Sequence, residues 1–167
     1  MNHSEIPEQE VARYCDENAN LWPDHVRKGW DVYREYFNNP AFFEFIGDLS
    51  GKTVLDAGCG EGHNTRLLAR SGARMTGVDI SQRMIELARR EEQREPLGIR
   101  YEVASFSDLS VLDDVSFDVV VSSMALMDGL TSTAPSKRFS ACCGQAASSI
   151  PLIVQYEVSF PNEAEHE

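Results

Sequence analysis

The chain has 167 residues, with 27 acidic and 15 basic side chains and a formal net charge of −12. Its 42% hydrophobic and 25% charged residues are typical of one soluble globular domain. The negative charge disfavours nucleic acid and anionic membranes as partners, and no apolar run reaches the roughly 18 residues of a membrane span. The N-terminus lacks a signal-peptide pattern, and the four cysteines lack disulfide or zinc spacing, so a reducing cytoplasmic location without a metal site is expected.

Residues 1–50 are predicted to form an N-terminal helical cap. From Asp24 to Phe37 the apolar residues recur at the spacing of one helix face, at Val26, Trp30, Tyr33 and Phe37. Pro40 interrupts this pattern, and a short apolar helix then ends near Gly47 or Gly51. The aromatic stripe fits packing in a core, and it also fits a lid over a ligand.

Residues 51–128 alternate strand and helix signals. Apolar runs predict four strands, TVLDA, ARMTGVDI, IRYEVA and FDVVVSS. HNTRLLARSG predicts a helix stopped by Gly72, and Ser81 is the predicted N-cap of a helix to about Glu95. The alternation predicts an α/β fold, a doubly wound parallel sheet with helices on both faces and its ligand edge at the strand C-termini.

Residues 129–167 are an atypical tail. Positions 129–150 contain only two charged residues, Lys137 and Arg138, and show neither a helical nor a strand period. PLIVQYEVSF predicts a single strand, and the acidic end is expected to fray.

The most informative segment is VLDAGCGEG, in which three glycines follow a strand and open a helix. Gly58, Gly60 and Gly62 allow the backbone to turn sharply and to approach a ligand closely. Asp56, at the strand end, would repel a pyrophosphate and attract a cationic amino or sulfonium group. Asp79, at the end of the second strand, can accept hydrogen bonds from both hydroxyls of a ribose. The two acids predict a ligand that is cationic at one end and a nucleoside at the other, which fits S-adenosylmethionine and not NAD.

Two alternatives to this interpretation remain open. Asp56 and Asp79 could be helix-capping or solvated loop acids. The segment could also belong to a dehydrogenase-like nucleotide site, which Asp56 and the absence of a G-x-G-x-x-G pattern disfavour.

With these motifs the chain resembles the class I, Rossmann-like S-adenosylmethionine-dependent methyltransferases. VLDAGCGEG resembles their first motif, GVDIS the second, ASFSDL the loop after the third strand, and SFDVVVSSMALM the fourth strand with the segment after it. The N-terminal helices are similar to the variable cap of members that act on small molecules. The resemblance implies transfer of a methyl group from S-adenosylmethionine to an unidentified small-molecule acceptor.

The resemblance also implies a set of cofactor contacts. Asp56 would hold the methionine ammonium, and the glycine turn would pass under the methionine portion. Asp79 would hold the ribose, with Ile80 on the adenine. Ser105 stands where many members have an acid that meets the adenine amino group, so its hydroxyl or the backbone of Phe106 would make that contact. The implied positions are Asp56, Ala57, Gly58, Cys59, Gly60, Asp79, Ile80, Ser105, Phe106 and Ser122.

No catalytic residue is predicted. Methyl transfer from a sulfonium has a neutral leaving group, so the protein mainly aligns the reactants and excludes water. Cys59 is interpreted as a small filler of the turn. His63 could act as a base, although a helix N-terminus disfavours its cation and a solvent-facing position is the preferred interpretation. His25, Trp22 and Trp30 could line a substrate cleft or pack in the core.

The tail departs from the pattern of this family, whose sheet has seven strands and a turn resembling Arg-Pro-Gly-Gly. We therefore expect the sheet to be incomplete after the fourth strand. A shifted reading frame can restore this pattern. Codons for LTSTAPSKRFSACCGQAASS can be chosen so that reading from the third base of each codon, after a leading proline codon, gives PDFDGAIKEIFRVLRPGGQL. That sequence contains an amphipathic helix and the missing turn. This predicts a truncated or frameshifted C-terminus from about Gly129, with weak cofactor binding and impaired activity. The gene sequence around codon 129 tests it.

The competing functional hypothesis is a non-catalytic cofactor-binding or interaction module. Such a module would need a partner to complete its sheet, because an unpaired edge of an apolar parallel sheet invites pairing or aggregation. The sequence does not predict the oligomeric state.

Overall fold

A computed structural model of the protein describes residues 7–19, 21, 28–30, 32, 34–105, 108–112, 117–123, 125 and 152–156. Its centre is a parallel sheet of five strands in the order β3-β2-β1-β4-β5. The strands are β1 Thr53–Ala57, β2 Arg74–Asp79, β3 Arg100–Val103, β4 Val119–Ser123 and β5 Leu152–Tyr156. This is a Rossmann-like α/β fold, as the alternation of strand and helix signals predicts.

The strand order reverses beside β1, which pairs in parallel with β2 on one side and with β4 on the other. Asp56 of β1 is in register with Gly77 of β2 and with Val121 of β4. In doubly wound sheets, the crevice at such a reversal is the place where ligands bind, beyond the carboxyl ends of the strands. The turn that follows β1 therefore lies at the expected ligand edge.

The elements bounded within the described residues include four α-helices, and a π-helical segment, Arg34–Asn38, directly precedes the second of them. They are α1 Glu8–Asn18, α2 Asn39–Ile46, α3 His63–Arg70 and α4 Gln82–Arg94. Among the described residues, no helix is long and apolar enough to cross a membrane.

The alternation of side chains along the strands creates two apolar clusters. Val54 of β1 joins the cluster that contains Phe42 of α2, Leu68 of α3 and Ile85 of α4, so these three helices cover one face of the sheet. Leu55 belongs to the second cluster, which includes Leu112 of the 3₁₀ turn Ser110–Leu112. A helix covering this second face, which the sequence predicts, is not among the described residues.

The predicted core elements of residues 52–123 are confirmed. Each of the four apolar runs forms a strand, and both intervening helices are present. Ser81 is the N-cap of α4, since its Oγ accepts a hydrogen bond from the backbone N of Met84 at 3.1 Å. Gly72 follows the end of α3 with φ +98°, a conformation that favours glycine.

The prediction of one helix from Asp24 to Phe37 is wrong. Lys28 and Gly29 form a turn in which Gly29 has φ +66°, and the described helical residues of this stretch, Val32 and the π-helical Arg34–Asn38, come after it. Trp30 is 60% exposed and lies over the Lys28 ammonium, so the core-packing alternative fails for Trp30. Trp22 and His25 lie outside the described residues.

Pro40 does not interrupt the helical segment as predicted. It lies in the first turn of α2, immediately after the π-helical segment. A first-turn backbone N–H has no partner within its helix, so a residue without that N–H is tolerated there. The α2 helix then ends at Gly47, which has φ +66°, in agreement with the first of the two predicted stops.

One strand follows the predicted fourth strand in the part of the chain that the structure describes. Leu152–Tyr156 adds β5, which pairs in parallel with β4 from Val119↔Leu152 to Ser123↔Tyr156. The strand predicted in PLIVQYEVSF supplies it. Positions 129–150 lie outside the described residues, so the proposed shift of reading frame stays a prediction.

Candidate functional site

The glycine turn after β1 is attached to the neighbouring strand. The backbone N–H groups of Gly58 and Cys59 both donate to the carbonyl of Val78, at 2.8 and 3.0 Å. Gly58, Gly60 and Gly62 have φ values of +83°, +55° and +84°, in the left-handed region where residues with a Cβ are strained. At these three positions, a residue other than glycine would strain the backbone of the turn.

The two ends of the turn differ in the space beside them. A Cβ at Gly62 would lie 2.4 Å from the hydroxyl oxygen of Tyr101, so α3 can begin here only with glycine. A Cβ at Gly60 would meet no atom within 4 Å. The turn is thus packed against β3 on one side and open beside Gly60.

Asp56 is buried at the base of this turn. It is 4% exposed, and its Oδ2 accepts a hydrogen bond from Thr65 Oγ1 at 2.6 Å. Burial raises its pKa from the ordinary 3.8 to about 6, although the bond from Thr65 acts in the opposite direction. The negative charges of Asp79 and Glu61 also raise this pKa, and the positive charge of Arg34 lowers it. An excess of negative charge therefore surrounds the turn.

Asp79 lies at the end of β2 and holds the turn from the other side. Its Oδ2 accepts from the backbone N of Gly60 at 2.8 Å, and its Oδ1 accepts from that of Ser81 at 2.9 Å. Burial raises its pKa, the two backbone bonds lower it, and the charge of Asp16 raises it further. Each carboxylate oxygen has a second lone pair, so Asp79 can still accept hydrogen bonds from a ligand.

The structure distributes the remaining predicted positions around this edge. Ile80, directly after Asp79, is half-buried. The hydroxyl of Ser105 donates to Glu8 Oε1 at 2.8 Å, a contact with α1 that sequence reasoning did not anticipate. The hydroxyl of Ser122 is buried and donates to the carbonyl of Ala57 at 2.7 Å, which joins the ends of β1 and β4. Phe106 lies outside the described residues.

Cys59 is part of the apolar core beneath the turn. It is 6% exposed, and a Cβ at Gly77 would come within 2.9 Å of its sulfur. Burial raises the pKa of the thiol, and the nearby carboxylates raise it further. A protonated, buried thiol is a poor nucleophile, so the structure agrees with the interpretation of Cys59 as a filler.

His63 directly follows the glycine turn, and Arg34 is close enough to it to act electrostatically. His63 is half-buried at the first position of α3, and burial and the charge of Arg34 lower its pKa. The preferred interpretation of His63 as a solvent-facing residue is therefore only partly correct. Arg34 acts electrostatically on both His63 and Asp56 and was missed, because its approach depends on how the π-helical segment docks.

A metal centre is not indicated in the part of the chain that the structure describes. Within those residues, no group of three or more histidine, cysteine, aspartate or glutamate side chains could hold a metal ion. The buried acids at the turn instead suit an organic cation.

A comparison with protein families matches this arrangement to known proteins. A family described as "Methyltransferase domain" matches residues 54–154, which is more than half of the chain. The chain belongs to the class I S-adenosylmethionine-dependent methyltransferases. S-adenosylmethionine is the cofactor of this family, and the buried acids and the glycine turn fit its cationic and ribose portions.

Curated relatives carry the name ubiquinone biosynthesis O-methyltransferase. The protein of that name from Coxiella burnetii is 30% identical over 125 residues, which cover 72% of this chain and 50% of the relative. The one from Nitrosococcus oceani is 34% identical over 116 residues, which cover 68% of this chain and 44% of the relative. This methyltransferase chain therefore spans about half the length of the curated relatives it matches.

A solved structure shows the same fold. Magnesium protoporphyrin IX methyltransferase from Synechocystis, determined with bound S-adenosylmethionine, is 22% identical. It aligns with a TM-score of 0.60 over 85% of this chain and 71% of its own. At this identity the match supports the Rossmann-like fold of the methyltransferase chain and nothing finer.

Proposed function

We propose that this protein binds S-adenosylmethionine over the glycine turn and transfers its methyl group to a small-molecule acceptor. The observation that carries the proposal is the pair of buried carboxylates, Asp56 and Asp79, on the two sides of the turn at the reversal of strand order. The names of the curated relatives support a small-molecule acceptor as its class.

Electrostatics favours this ligand over a dinucleotide. Asp56, Asp79 and Glu61 are all buried near the turn, and burial, together with the charges of Asp79 and Glu61, raises the pKa of Asp56. An ammonium or sulfonium group would compensate that charge. A diphosphate placed there would add further negative charge in a region of low dielectric, where repulsion is strong.

The proposed contacts divide the cofactor between two acids. Asp56 holds the methionine ammonium, directly or through water, and Arg34 is suited to the methionine carboxylate. The Gly58–Cys59–Gly60 backbone, with Ala57 and Ser122 below it, supports the methionine portion. Asp79 accepts from the ribose hydroxyls. Ile80, Ser105 and Phe106 complete the adenine end.

The chain contributes to catalysis mainly by positioning. When bound, S-adenosylmethionine supplies an electrophilic methyl group and a neutral leaving group. Asp56 holds the methionine end of the donor and Asp79 its ribose, which fixes the orientation of the methyl group. His63, whose pKa is lowered, is neutral near pH 7 and is available to accept a proton from an acceptor that must lose one.

We also propose that this chain has low turnover on its own. The composition of positions 129–150, with only two charged residues and no secondary-structure period, is unusual for a segment that would form a wall of the acceptor pocket. The alternative function, a cofactor-binding module that needs a partner, makes the same prediction of binding without turnover.

Isothermal titration calorimetry tests the proposed function. The ligands are S-adenosylmethionine and S-adenosylhomocysteine, with NAD as the comparison. Asp79→Asn is expected to weaken binding of both sulfur ligands at least tenfold, since it removes the charge-assisted contact to the ribose. Asp48→Asn is the matched control, because Asp48 is exposed and only accepts a bond from the backbone N of Ser50. Tighter binding of NAD than of S-adenosylhomocysteine would refute the proposal.

A second measurement separates the two functional candidates. Formation of S-adenosylhomocysteine is followed with catechol and phenol acceptors, and the mass of the native particle is determined in parallel. Turnover by a monomer supports the enzyme. Cofactor binding without turnover, by a particle whose mass shows a stoichiometric complex with a partner, supports the binding module.

A further inference from the structure

Helix α1 lies across the edge of the sheet at the adenosine end of the proposed site. Near its C-terminus, Asp16 Oδ1 accepts from Ser81 Oγ at 2.5 Å and from the backbone N of Arg83 at 3.1 Å. In its first turn, Glu8 Oε1 accepts from Ser105 Oγ at 2.8 Å. Ser81 follows the end of β2 and Ser105 follows the end of β3, so α1 connects the two strand ends that flank the proposed ribose and adenine positions.

The face of α1 that points to this edge has a defined chemical pattern. Glu8 and Asp16 are eight residues apart, which is about 12 Å along a helix. Between them on the same face lie Val11, Ala12 and Cys15, all half-buried. The face thus presents a carboxylate at each end and small apolar side chains in the middle.

This pattern matches the chemistry of an adenine nucleoside. The flat faces of adenine are apolar, and its 6-amino group is a hydrogen-bond donor that needs an acceptor. Ser105 has only a hydroxyl at the end of β3, and in the structure that hydroxyl donates to Glu8. After accepting this bond at Oε1, the Glu8 carboxylate retains Oε2 and its other lone pairs.

We infer that Glu8 accepts a hydrogen bond from the 6-amino group of adenine, and that it is a specificity-determining residue of the site. This inference rests on the proposed function, because it requires S-adenosylmethionine to occupy the edge with its ribose on Asp79. In this arrangement Ser105 does not itself accept the bond from the adenine amino group. Its hydroxyl donates to the Glu8 carboxylate and orients it. The N-terminal helix thereby supplies an acid at the adenine end, where the first position of the loop that could meet the amino group is Ser105.

The decisive ligand pair is S-adenosylhomocysteine and S-inosylhomocysteine. Inosine has a carbonyl oxygen in place of the 6-amino group, so that oxygen would face the Glu8 carboxylate with no donor between them. A site built to accept from an amino group discriminates strongly against such an analogue. The unmodified protein is expected to bind the adenosyl ligand at least tenfold more tightly than the inosyl ligand in calorimetry.

Three variants test the role of Glu8. In Glu8→Gln, the amide can present either its carbonyl to the amino group or its NH₂ to the inosine carbonyl, so the affinity ratio should fall towards one. Glu8→Asp keeps the charge but shortens the side chain, and it should give an intermediate ratio. Glu17→Gln is the matched control, since Glu17 is an exposed residue of the same helix, 3.7 Å from Arg13. It should leave the ratio unchanged.

The outcomes distinguish this inference from the proposed function. If the unmodified protein binds S-adenosylhomocysteine and Glu8→Gln weakens both ligands equally, Glu8 only holds α1 in place and the inference is wrong, while the proposed function stands. If the unmodified protein binds neither ligand, both fail. A fall in the ratio for Glu8→Gln but not for Glu17→Gln supports both. Circular dichroism melts verify that each variant is folded.

Discussion

Asp56→Asn is expected to stabilise the free protein and to weaken its binding of the cofactor. The pKa of Asp56 is raised from 3.8 to about 6 by burial. A shift of roughly two pH units corresponds to about 3 kcal/mol of unfavourable free energy for the ionised form in the folded state. The uncharged amide removes this cost and can still accept the hydrogen bond from Thr65.

The net gain in unfolding free energy at pH 7.5 should be smaller, about 1–2 kcal/mol, because the buried NH₂ group of the amide needs a new acceptor. For a chain of this size, that corresponds to a rise of roughly 2–8 °C in Tm. The cofactor affinity should fall at least tenfold, since the ammonium loses its charged partner. Thermal unfolding and calorimetry on the same sample measure both effects, with Asp48→Asn as the exposed control.

The pH dependence provides a further check of the same variant. Because the pKa of Asp56 is higher in the folded state, the folded protein binds this proton more tightly than the unfolded chain does. The contribution of Asp56 to stability therefore increases as the pH falls from above 6 towards 4, and Asp56→Asn should lack that part of the slope. A variant that is less stable at pH 7.5 and keeps the full slope would refute the reasoning, since Asp56 would then be compensated within the protein.

Further predictions concern the framework of the site. Gly62→Ala should unfold the protein or cost several kcal/mol, measured by denaturant titration, because the new Cβ would lie 2.4 Å from the Tyr101 hydroxyl oxygen at a φ of +84°; soluble protein with unchanged stability would contradict this. Arg66→Met should cost about 1–3 kcal/mol, since the buried guanidinium bonds Glu92 at 2.9 Å, while the other oxygen of Glu92 keeps its bonds from the backbone N–H groups of residues 97–99. Arg70→Met, at an exposed pair, should cost less than about 1 kcal/mol, and equal losses would be inconsistent with this account. Cys59 is buried, so it should react with iodoacetamide only after the protein is denatured. Peptide mass spectrometry measures the alkylation of Cys59 before and after denaturation.

The core of the fold could be predicted because its signals are local. The apolar runs that became β1 and β4 are buried on both faces, and their length of five residues is typical of a strand and too short for most helices. Ser81 before a periodic segment was sufficient to place the start of α4. The spacing of Asp56 and Asp79 from the glycines placed both acids at one edge, because the carboxyl ends of parallel strands coincide.

The cap could not be predicted in the same way. The apolar spacing from Asp24 to Phe37 is helical, but Gly29 adopts a positive φ and forms a turn within it. Pro40 was interpreted as a break because the sequence does not show that a new α-helical turn starts there. Both errors arise where a local pattern competes with a backbone conformation that depends on neighbouring segments.

The contacts of α1 and Arg34 could not be predicted from the sequence either. The segment EQEVARYCDEN is mostly polar, and no α1 side chain is fully buried, so it shows no clear inward face. The bond from Ser105 to Glu8 joins residues 97 positions apart, and its existence depends on how α1 docks. Long-range polar pairs of this kind have no periodic signature in a sequence.

The bond from the Gly60 amide to Asp79 makes the two halves of the proposed ligand interdependent. The loop proposed to support the amino-acid half is hydrogen-bonded to the carboxylate proposed to hold the sugar half, so we expect occupancy of one subsite to order the other. Methylthioadenosine should therefore increase the affinity for free methionine, and methionine should increase that for methylthioadenosine by the same factor. A site with this linkage binds the intact donor with a more favourable free energy than the summed free energies of its two fragments. After methyl transfer, both halves of the demethylated product should dissociate together.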